Sequence, residues 1–162
     1  MPEASETTMT PTETVSALIE RFSAGEMEAA LELYADDVEL SIEFGLPERF
    51  VIPDKASLVA GMKAAQEAQR DKPSRMYADI EVRDLVIHET VDPNTVIAEW
   101  TYVSRIEDAS VSNRNIIVVE CRDGKIVRSR DYHNDVTRAV AEGTVPKIVA
   151  AIEGMALPKD QK

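Results

Sequence analysis

A carboxyl and an imidazole side chain lie two residues apart near the end of this sequence, where together they could perform acid–base chemistry. Ser129, Asp131 and His133 occupy alternate positions of a run over 125–133 that has the composition of a β-strand. Successive side chains of a strand point to opposite faces, so these three share one face. Positions two apart on a strand are separated by about 7 Å, which a substrate or a water molecule could bridge for proton transfer between Asp131 and His133. In a partly apolar pocket, Asp131 could act as a general acid or base.

Both titratable residues also have a simpler interpretation. Asp131 could be a structural aspartate that accepts hydrogen bonds from Asn or Tyr side chains. His133 could be exposed to solvent at the end of its strand. The residues by themselves leave these alternatives open.

Four more side chains on the two preceding predicted strands could line the same site. Trp100 could stack on a planar substrate and Tyr102 could orient a substrate oxygen, although both also fit ordinary packing on a sheet. Asn113 and Asn115 lie two apart on the next predicted strand. Because Asn is unfavourable in strands, this pair indicates a polar lining, or else an edge strand or a subunit contact.

No pattern in the sequence predicts a metal ion or a nucleotide cofactor. The only histidines are His88 and His133, and they form no His-x-x-x-His pair or Cys/His cluster. Cys121, the single cysteine, has no base near it in the sequence, and we expect it to pack as a small hydrophobic residue. No glycine-rich phosphate loop is present. We therefore predict a site that works without a cofactor.

Composition and charge limit the class of protein. The chain has 162 residues, 44% of them hydrophobic, which suits one domain with a substantial core. Its formal net charge is -12, and such a surface disfavours nucleic acids and anionic membranes, because both require Lys and Arg to neutralise phosphates. The single cysteine, the lack of an apolar run of membrane length and the polar character of residues 1–9 predict a cytoplasmic protein.

The first half of the chain is predicted to be mainly helical. Thr10-Pro11-Thr12-Glu13 is a capping box that begins a helix, after a polar leader over residues 1–9 that we expect to be disordered. Tyr34 falls on the buried side of a second, short helix. The predicted elements are helices over 10–24, 27–34 and 54–70, a strand over 38–44 and a loop over 46–53.

The second half of the chain is predicted to be a sheet. β-branched and aromatic residues dominate four runs, over 76–89, 95–106, 111–122 and 125–133. Asp123-Gly124 tolerates the positive φ of a type I′ hairpin turn, and runs this close together pair as antiparallel hairpins. One or two short helices and a polar tail over 158–162 follow. Helices grouped before a contiguous antiparallel sheet indicate an α+β fold.

The segment Asp123–Asn134 contains a motif, Asp-Gly-Lys-Ile, three residues and then Arg130-Asp131-Tyr132. This motif resembles the last strand of the nuclear transport factor 2-like superfamily, in its polyketide-cyclase (SnoaL-like) branch. The segment 33–38 resembles the entry into the first strand of that family, and the resemblance covers residues 12–142. It implies one domain over 10–157, a cone-shaped roll of N-terminal helices on a curved, mostly antiparallel sheet, with a pocket between them on the Asp131 face.

The resemblance also implies an assembly. The face opposite Asp131 carries Arg128, Arg130 and Tyr132, and in this superfamily that face is commonly a subunit interface. A homodimer through the sheet is therefore expected.

Two enzyme branches of the superfamily can be compared position by position. The proton-abstracting acid and the two oxyanion donors of the steroid isomerase branch fall at Ile42, Phe22 and Ile117, none of which can perform these roles. In the limonene epoxide hydrolase branch, Asp131 matches one catalytic acid. The other four polar roles of that branch fall at Trp100, Tyr102, Leu40 and Ile42. Only one of the five polar catalytic roles of that branch is therefore filled in this sequence, so epoxide hydrolysis is disfavoured.

Residues 120–134 also resemble the end of the phenazine biosynthesis A/B proteins. That branch places a glutamate at the Asp131 position and an asparagine at Asn113. Its helix histidine falls at Val59, so the similarity is confined to the strands.

These comparisons predict a cofactor-independent enzyme of secondary metabolism that isomerises, cyclises or dehydrates an apolar cyclic substrate. Asp131 is the predicted general acid/base, with Asn113, Asn115 and Tyr102 positioning a carbonyl or hydroxyl group. The predicted substrate-binding residues are Tyr34, Trp100, Tyr102, Asn113, Asn115, Ser129 and His133. The competing prediction is a non-catalytic ligand-binding or dimeric interaction module, because most catalytic partners known in the superfamily are missing. A protein-binding adaptor would instead expose an apolar patch over the sheet.

Overall fold

The structure, a computed structural model, describes residues 8–68, 80–106 and 109–155. Its helices are α1 (Pro11–Ser23), α2 (Met27–Leu31), α3 (Lys55–Ala68), α4 (Asp135–Glu142) and α5 (Val145–Gly154). Its strands are β1 (Tyr34–Ile42), β2 (Phe50–Ile52), β3 (Glu81–Glu89), β4 (Thr95–Ile106), β5 (Ala109–Arg122) and β6 (Lys125–His133). The predicted order of two helices, a strand, a helix and a four-strand meander is found, with one additional short strand, β2, between β1 and α3.

Local signals set the first helix and the last hairpin. The Thr10 hydroxyl accepts a hydrogen bond from the Glu13 N–H at 3.2 Å, and the Glu13 carboxylate accepts one from the Thr10 N–H at 2.7 Å, as the capping box predicts. Asp123 and Gly124 have φ angles of 52° and 72°, the positive values that a type I′ turn requires. These elements depend on contacts within four residues, so the sequence pattern is sufficient to predict them.

The six strands form one sheet in the order β2-β1-β6-β5-β4-β3. Strands β3 to β6 are the predicted antiparallel meander, whereas β1 pairs with β6 in parallel. This parallel pairing places Ile42 next to Asp131, and the antiparallel neighbour of Asp131 on its other side is Ile117. The α+β fold with a mostly antiparallel sheet is confirmed.

Two predictions for the region around β1 are wrong. Tyr34 is the first residue of β1 rather than part of α2, because its backbone pairs with Ile126 on β6. The predicted loop over 46–53 contains β2, which pairs with the end of β1. Three residues are too few to show the alternation of a strand, and only the contact with β1 makes them one.

Some predictions concern residues that the structure does not describe. The leader over 1–7, the end of the third helix beyond residue 68, the start of the 76–89 strand before residue 80 and the tail over 158–162 lie outside the described residues. Met9, the last residue of the predicted leader, is half-buried and packs against the core.

The core lies between α1 and the inner face of the sheet. Val15 and Ile19 of α1 are fully buried against Val119 and Ile126 of the two central strands. Burial raises the pKa of the Cys121 thiol to about 11, and the residue packs within this core as predicted. Among the described residues, no helix combines the length and the apolar character needed to cross a membrane.

Candidate functional site

A cavity of about 650 Å³ opens between the inner face of the sheet and helices α1, α2 and α3. Its walls are mainly apolar, with Leu18 and Phe22 from α1, Met62 from α3, and Leu40 and Ile117 from the sheet among the lining residues. Cavities of this size and character are typical of sites for small organic molecules.

Seven of the eight predicted site residues line this cavity. They are Tyr34, Trp100, Tyr102, Asn115, Ser129, Asp131 and His133. Strand register explains the grouping, because β5 and β6 pair Asn115 with His133 and Val119 with Ser129. Asn115, His133 and Ser129 therefore project from the same face of the sheet.

Asn113 is the exception. It lies on the same face and is 4% exposed, but it is not among the described residues that line the cavity. Its backbone carbonyl accepts a hydrogen bond from the Asn115 side chain. Its neighbour on β4, Tyr102, does line the cavity, so Asn113 lies at the edge of the lined region.

Asp131 makes two polar contacts in the cavity wall. The Ser129 hydroxyl donates a hydrogen bond to its Oδ1 atom, and its Oδ2 atom lies 3.4 Å from Nε2 of His133. The side chains of Asp131 and His133 are 13% and 23% exposed. The interpretation of His133 as a solvent-exposed residue is therefore wrong. Direct contact replaces the expected bridge, because the two side chains lean toward each other along the strand.

The hydrogen bonds around Asn115 determine which nitrogen of His133 carries a proton. The Asn115 Nδ2 group donates to the Asn113 carbonyl at 2.9 Å, so its Oδ1 atom faces His133. Nδ1 of His133 lies 2.8 Å from that oxygen and must therefore be the donor. Both ends of the Asn115 amide are thus bonded to protein, with its oxygen facing the His133 ring.

This arrangement makes Asp131 and His133 a proton-sharing pair. With its proton on Nδ1, a neutral His133 presents a lone pair at Nε2, and an ionised Asp131 presents another at Oδ2. Two acceptors facing each other repel, so the contact is stable when one proton lies between them. Imidazolium with carboxylate and imidazole with carboxylic acid are the two forms of the pair that place a proton between these atoms.

Tyr34 supplies a neutral hydrogen-bond donor to the cavity wall. Burial, and then the negative charge of Asp131 and the neighbouring Tyr102, raise the pKa of the Tyr34 phenol far above its usual value. The phenol therefore keeps its proton throughout the physiological pH range. A neutral phenol can donate a hydrogen bond to a substrate oxygen.

Aromatic rings form one wall of the cavity. Trp100 and Tyr102 meet edge to face with ring centres 5.4 Å apart, and Phe22 stacks on Tyr102 at 6.2 Å. Trp100 is 4% exposed, which fits the packing interpretation better than an open stacking surface. Among the described side chains, its Nε1 atom is buried with no hydrogen-bond partner.

Arg138 is a cavity residue that the sequence analysis missed. It lies on α4, lines the cavity and forms an ion pair with Asp135 at 2.9 Å. The three-residue spacing on a helix predicts that pair, but nothing in the sequence shows that α4 returns over the cavity. Among residues 8–68, 80–106 and 109–155, no group of three or more His, Cys, Asp or Glu side chains is placed to hold a metal ion.

Comparison with known proteins identifies the family. The family model described as "SnoaL-like domain" matches residues 15–129. The uncharacterised protein YesE of Bacillus subtilis (strain 168) is 32% identical over 87 residues, which are 52% of this chain and 58% of YesE. The match therefore spans little more than half the length of that relative.

Solved structures agree with this assignment. A Bacillus subtilis protein designated a candidate isomerase has a TM-score of 0.61 and 25% identity, over 84% of this chain and 97% of that chain. A candidate polyketide cyclase from Pseudomonas putida KT2440 has a TM-score of 0.57 and 27% identity, over 78% and 92% of the two chains. The chain therefore belongs to the SnoaL-like domain family.

Proposed function

We propose that this protein is a cofactor-independent enzyme that moves a proton within a small, apolar, cyclic substrate. The observation that carries the proposal is the Asp131 carboxyl, which is reached from an apolar cavity and contacts an oriented imidazole. A positioned acid/base group of this kind contributes rate through proton transfer. Isomerisation, cyclisation and dehydration are the three reactions that fit.

The reaction begins when ionised Asp131 takes a proton from a carbon next to a substrate carbonyl. The electron pair of the broken C–H bond forms an enolate, whose oxygen accepts a hydrogen bond from Tyr34. His133 shares the proton while it is held by the pair. Return of the proton to a different carbon completes an isomerisation.

The same pair can complete the other two reactions. In a cyclisation, the enolate carbon attacks a second carbonyl carbon, and the new alkoxide takes the proton from Asp131. In a dehydration, a hydroxyl group leaves from the carbon next to the enolate and departs as water with that proton. Each reaction returns Asp131 to its ionised form.

The comparisons support these reactions more than epoxide hydrolysis. One similar structure is designated a candidate isomerase and another a candidate polyketide cyclase. Leu40, Ile42 and Trp100 occupy the cavity wall at positions where polar groups would be needed to activate water.

The test is hydrogen–deuterium exchange at carbon, followed by proton NMR in D₂O. Cyclic ketones such as 1-indanone and 2-tetralone, together with their hydroxylated derivatives, form a suitable panel. We expect the protein to accelerate exchange at the carbon next to the carbonyl of at least one compound that binds. Binding without accelerated exchange across the panel would contradict the enzyme proposal.

The second candidate is a non-catalytic ligand-binding module. Ile42, Phe22 and Ile117 line the cavity at the positions where the steroid isomerase branch has its acid and oxyanion donors, and this favours the alternative. Saturable binding of panel compounds with exchange at the buffer rate would establish it.

We also propose a homodimer formed through the outer face of the sheet, in a cytoplasmic protein of secondary metabolism. Val118 is half-buried at the centre of this face and pairs with Arg130. Sedimentation equilibrium is expected to give twice the mass of one chain, and Val118→Asp is expected to shift the equilibrium to the monomer. Val91→Asp, at a fully exposed turn, is the matched control and should leave the dimer intact. A monomeric wild-type protein would exclude this assembly.

A further inference from the structure

The sheet-facing side of α4 brings a positive charge to the cavity. Asp135 and Ala139 are buried and Arg138 is half-buried, whereas Val136 and Val140 are exposed. Positions i, i+3 and i+4 share one side of a helix, so Arg138 lies on the side that packs against β5. It lines the cavity, and its side chain is 38% exposed, which leaves it accessible to a ligand.

Arg138 lies at the same end of the cavity as the contact between Asp131 and His133. The Arg138 N–H donates a hydrogen bond to the Asn134 carbonyl at 3.2 Å. Arg138 is therefore one helical turn, about 5.4 Å along the axis, from the residue that follows His133. Met62 and the other lining residues of α3 are apolar. A bound ring would thus direct its polar edge toward Asp131, His133 and Arg138.

The ion pair between Arg138 and Asp135 has its positive end toward the cavity. Arg138 lines this cavity, whereas Asp135 lines a second one, of about 600 Å³, on the outer side of the sheet. Nη2 of Arg138 lies 2.9 Å from Oδ1 of Asp135, yet among the described residues that oxygen accepts no hydrogen bond. The contact is therefore electrostatic rather than a directed hydrogen bond. A guanidinium has five N–H donors in a planar fork, so it can bind a second carboxylate while it keeps this contact.

The charges on the cavity wall favour an anion at this end. Among the described lining residues, Asp131, His133 and Arg138 are the ones that carry or can acquire a charge at neutral pH. When Asp131 and His133 hold one proton between them, their charges sum to zero, and the wall is left with the positive charge of Arg138. A carboxylate that enters an apolar cavity loses its water, and a cation that faces it offsets that cost.

We infer that Arg138 binds a carboxylate of the substrate, which is therefore an apolar ring system that carries one acidic group. This inference rests on the proposed function, because it adds a second anchor to the substrate on which Asp131 acts. The carboxylate belongs on the reacting ring or on a short branch of it, since Arg138 and Asp131 lie at the same end of the cavity. Two parallel hydrogen bonds from the guanidinium would fix the ring and so select the carbon that faces Asp131.

Matched acids and amides test this inference without any reaction. Benzoate, 2-naphthoate and anthracene-2-carboxylate are each compared with the corresponding primary amide by calorimetry at neutral pH. The amide has the shape of the carboxylate but no charge. We expect the wild-type protein to bind at least one acid about tenfold or more tightly than its amide, as a hydrogen bond to a charged group would give.

Variants of Arg138 identify the group that is responsible. Arg138→Gln is expected to reduce the preference for the acid to about twofold or less, whereas Arg138→Lys should retain part of it, because lysine keeps the charge but not the planar fork. Arg138→Gln leaves the Asp135 carboxylate buried without this counter-charge. The double variant Asp135→Asn/Arg138→Gln removes both charges and should show the same loss.

Arg122→Gln is the matched control. Arg122 also pairs with one aspartate, at 2.8 Å from Asp37, and it lines neither cavity. The variant changes the net charge of the protein by the same amount as Arg138→Gln. It should keep the wild-type preference for the acid.

Three results would overturn the inference. The first is that no acid binds the wild-type protein more tightly than its amide, which includes the absence of binding by all three acids. The second is a preference that persists in Arg138→Gln. The third is a preference that Arg138→Gln loses but the double variant regains, since repulsion by Asp135 would then explain the loss.

These outcomes are separable from those of the proposed function. The ketones of the exchange panel carry no carboxylate, so accelerated exchange with no preference for acids would retain the enzyme and remove only the role of Arg138. A preference for acids without exchange would retain the anion subsite in a ligand-binding module.

Discussion

Asp131→Asn is expected to slow exchange at the substrate carbon by about 10²–10⁴-fold, the contribution of a positioned general acid or base. An asparagine amide has the shape of the carboxyl but cannot accept the proton from carbon. Its Oδ1 atom can still accept the Ser129 hydrogen bond, so the cavity keeps its shape. The dissociation constant of a panel compound, measured by calorimetry, should therefore remain within a few-fold of wild type.

Ser129→Ala is the matched control for Asp131→Asn. It removes the hydrogen bond to Asp131 Oδ1 without removing the carboxyl, and the side chain it truncates is 1% exposed. We expect a loss of about tenfold or less, because a hydrogen bond to a charged group contributes roughly 1.5–3 kcal/mol and only part of that changes during the reaction. Equal rates for wild type and Asp131→Asn would remove Asp131 from the mechanism, whatever the control shows.

Asn115→Leu is expected to change the tautomer of His133. In the wild-type protein the neutral ring should carry its proton on Nδ1, because Asn115 Oδ1 lies 2.8 Å from that atom. Leucine has a similar volume but no acceptor, so the proton is free to move to Nε2 and the ring to rotate. Nitrogen-15 chemical shifts of the imidazole distinguish the two tautomers directly. Exchange at the substrate carbon should fall by about tenfold or more when the ring is no longer oriented.

The same variant is expected to lose stability. It leaves the His133 Nδ1–H and the Asn113 carbonyl without their partner, and each unsatisfied buried group costs roughly 1–3 kcal/mol. Urea unfolding measures the difference. Asn113→Leu is the control, since only the backbone of Asn113 takes part in the network, and it should retain the Nδ1–H tautomer. A wild-type protein with the Nε2–H tautomer would show that the amide does not orient the ring.

The candidate catalytic residues show which features of the site a strand pattern can predict and which it cannot. Alternation along β6 predicted that Ser129, Asp131 and His133 share a face, and the structure places all three on one cavity wall. The contact between Asp131 and His133 was not predictable, because it depends on side-chain rotamers selected by Asn115, 16 positions away from Asp131 along the chain. Alternation every two residues along a strand predicts the face of the sheet on which a side chain lies, but not the hydrogen bonds that it makes.

Elements whose causes are local could be predicted from the amino-acid sequence. Three features are of this kind: the capping box at Thr10, the Asp123-Gly124 turn and the alternation of the meander. Each depends on residues within a few positions of one another, so its pattern is visible in the sequence. The order of these elements, with the resemblance of the last strand, was sufficient for the fold.

Contacts between distant segments, which the sequence pattern does not show, determine which elements meet. The parallel pairing of β1 with β6 moved Tyr34 from a helix to a strand, and α4 brought Arg138 to the cavity. Asn115 lines the cavity, whereas Asn113, on the same face of β5, is not among the described lining residues. These outcomes depend on contacts between segments tens of residues apart, whose register is selected by the burial of whole faces rather than by any local pattern.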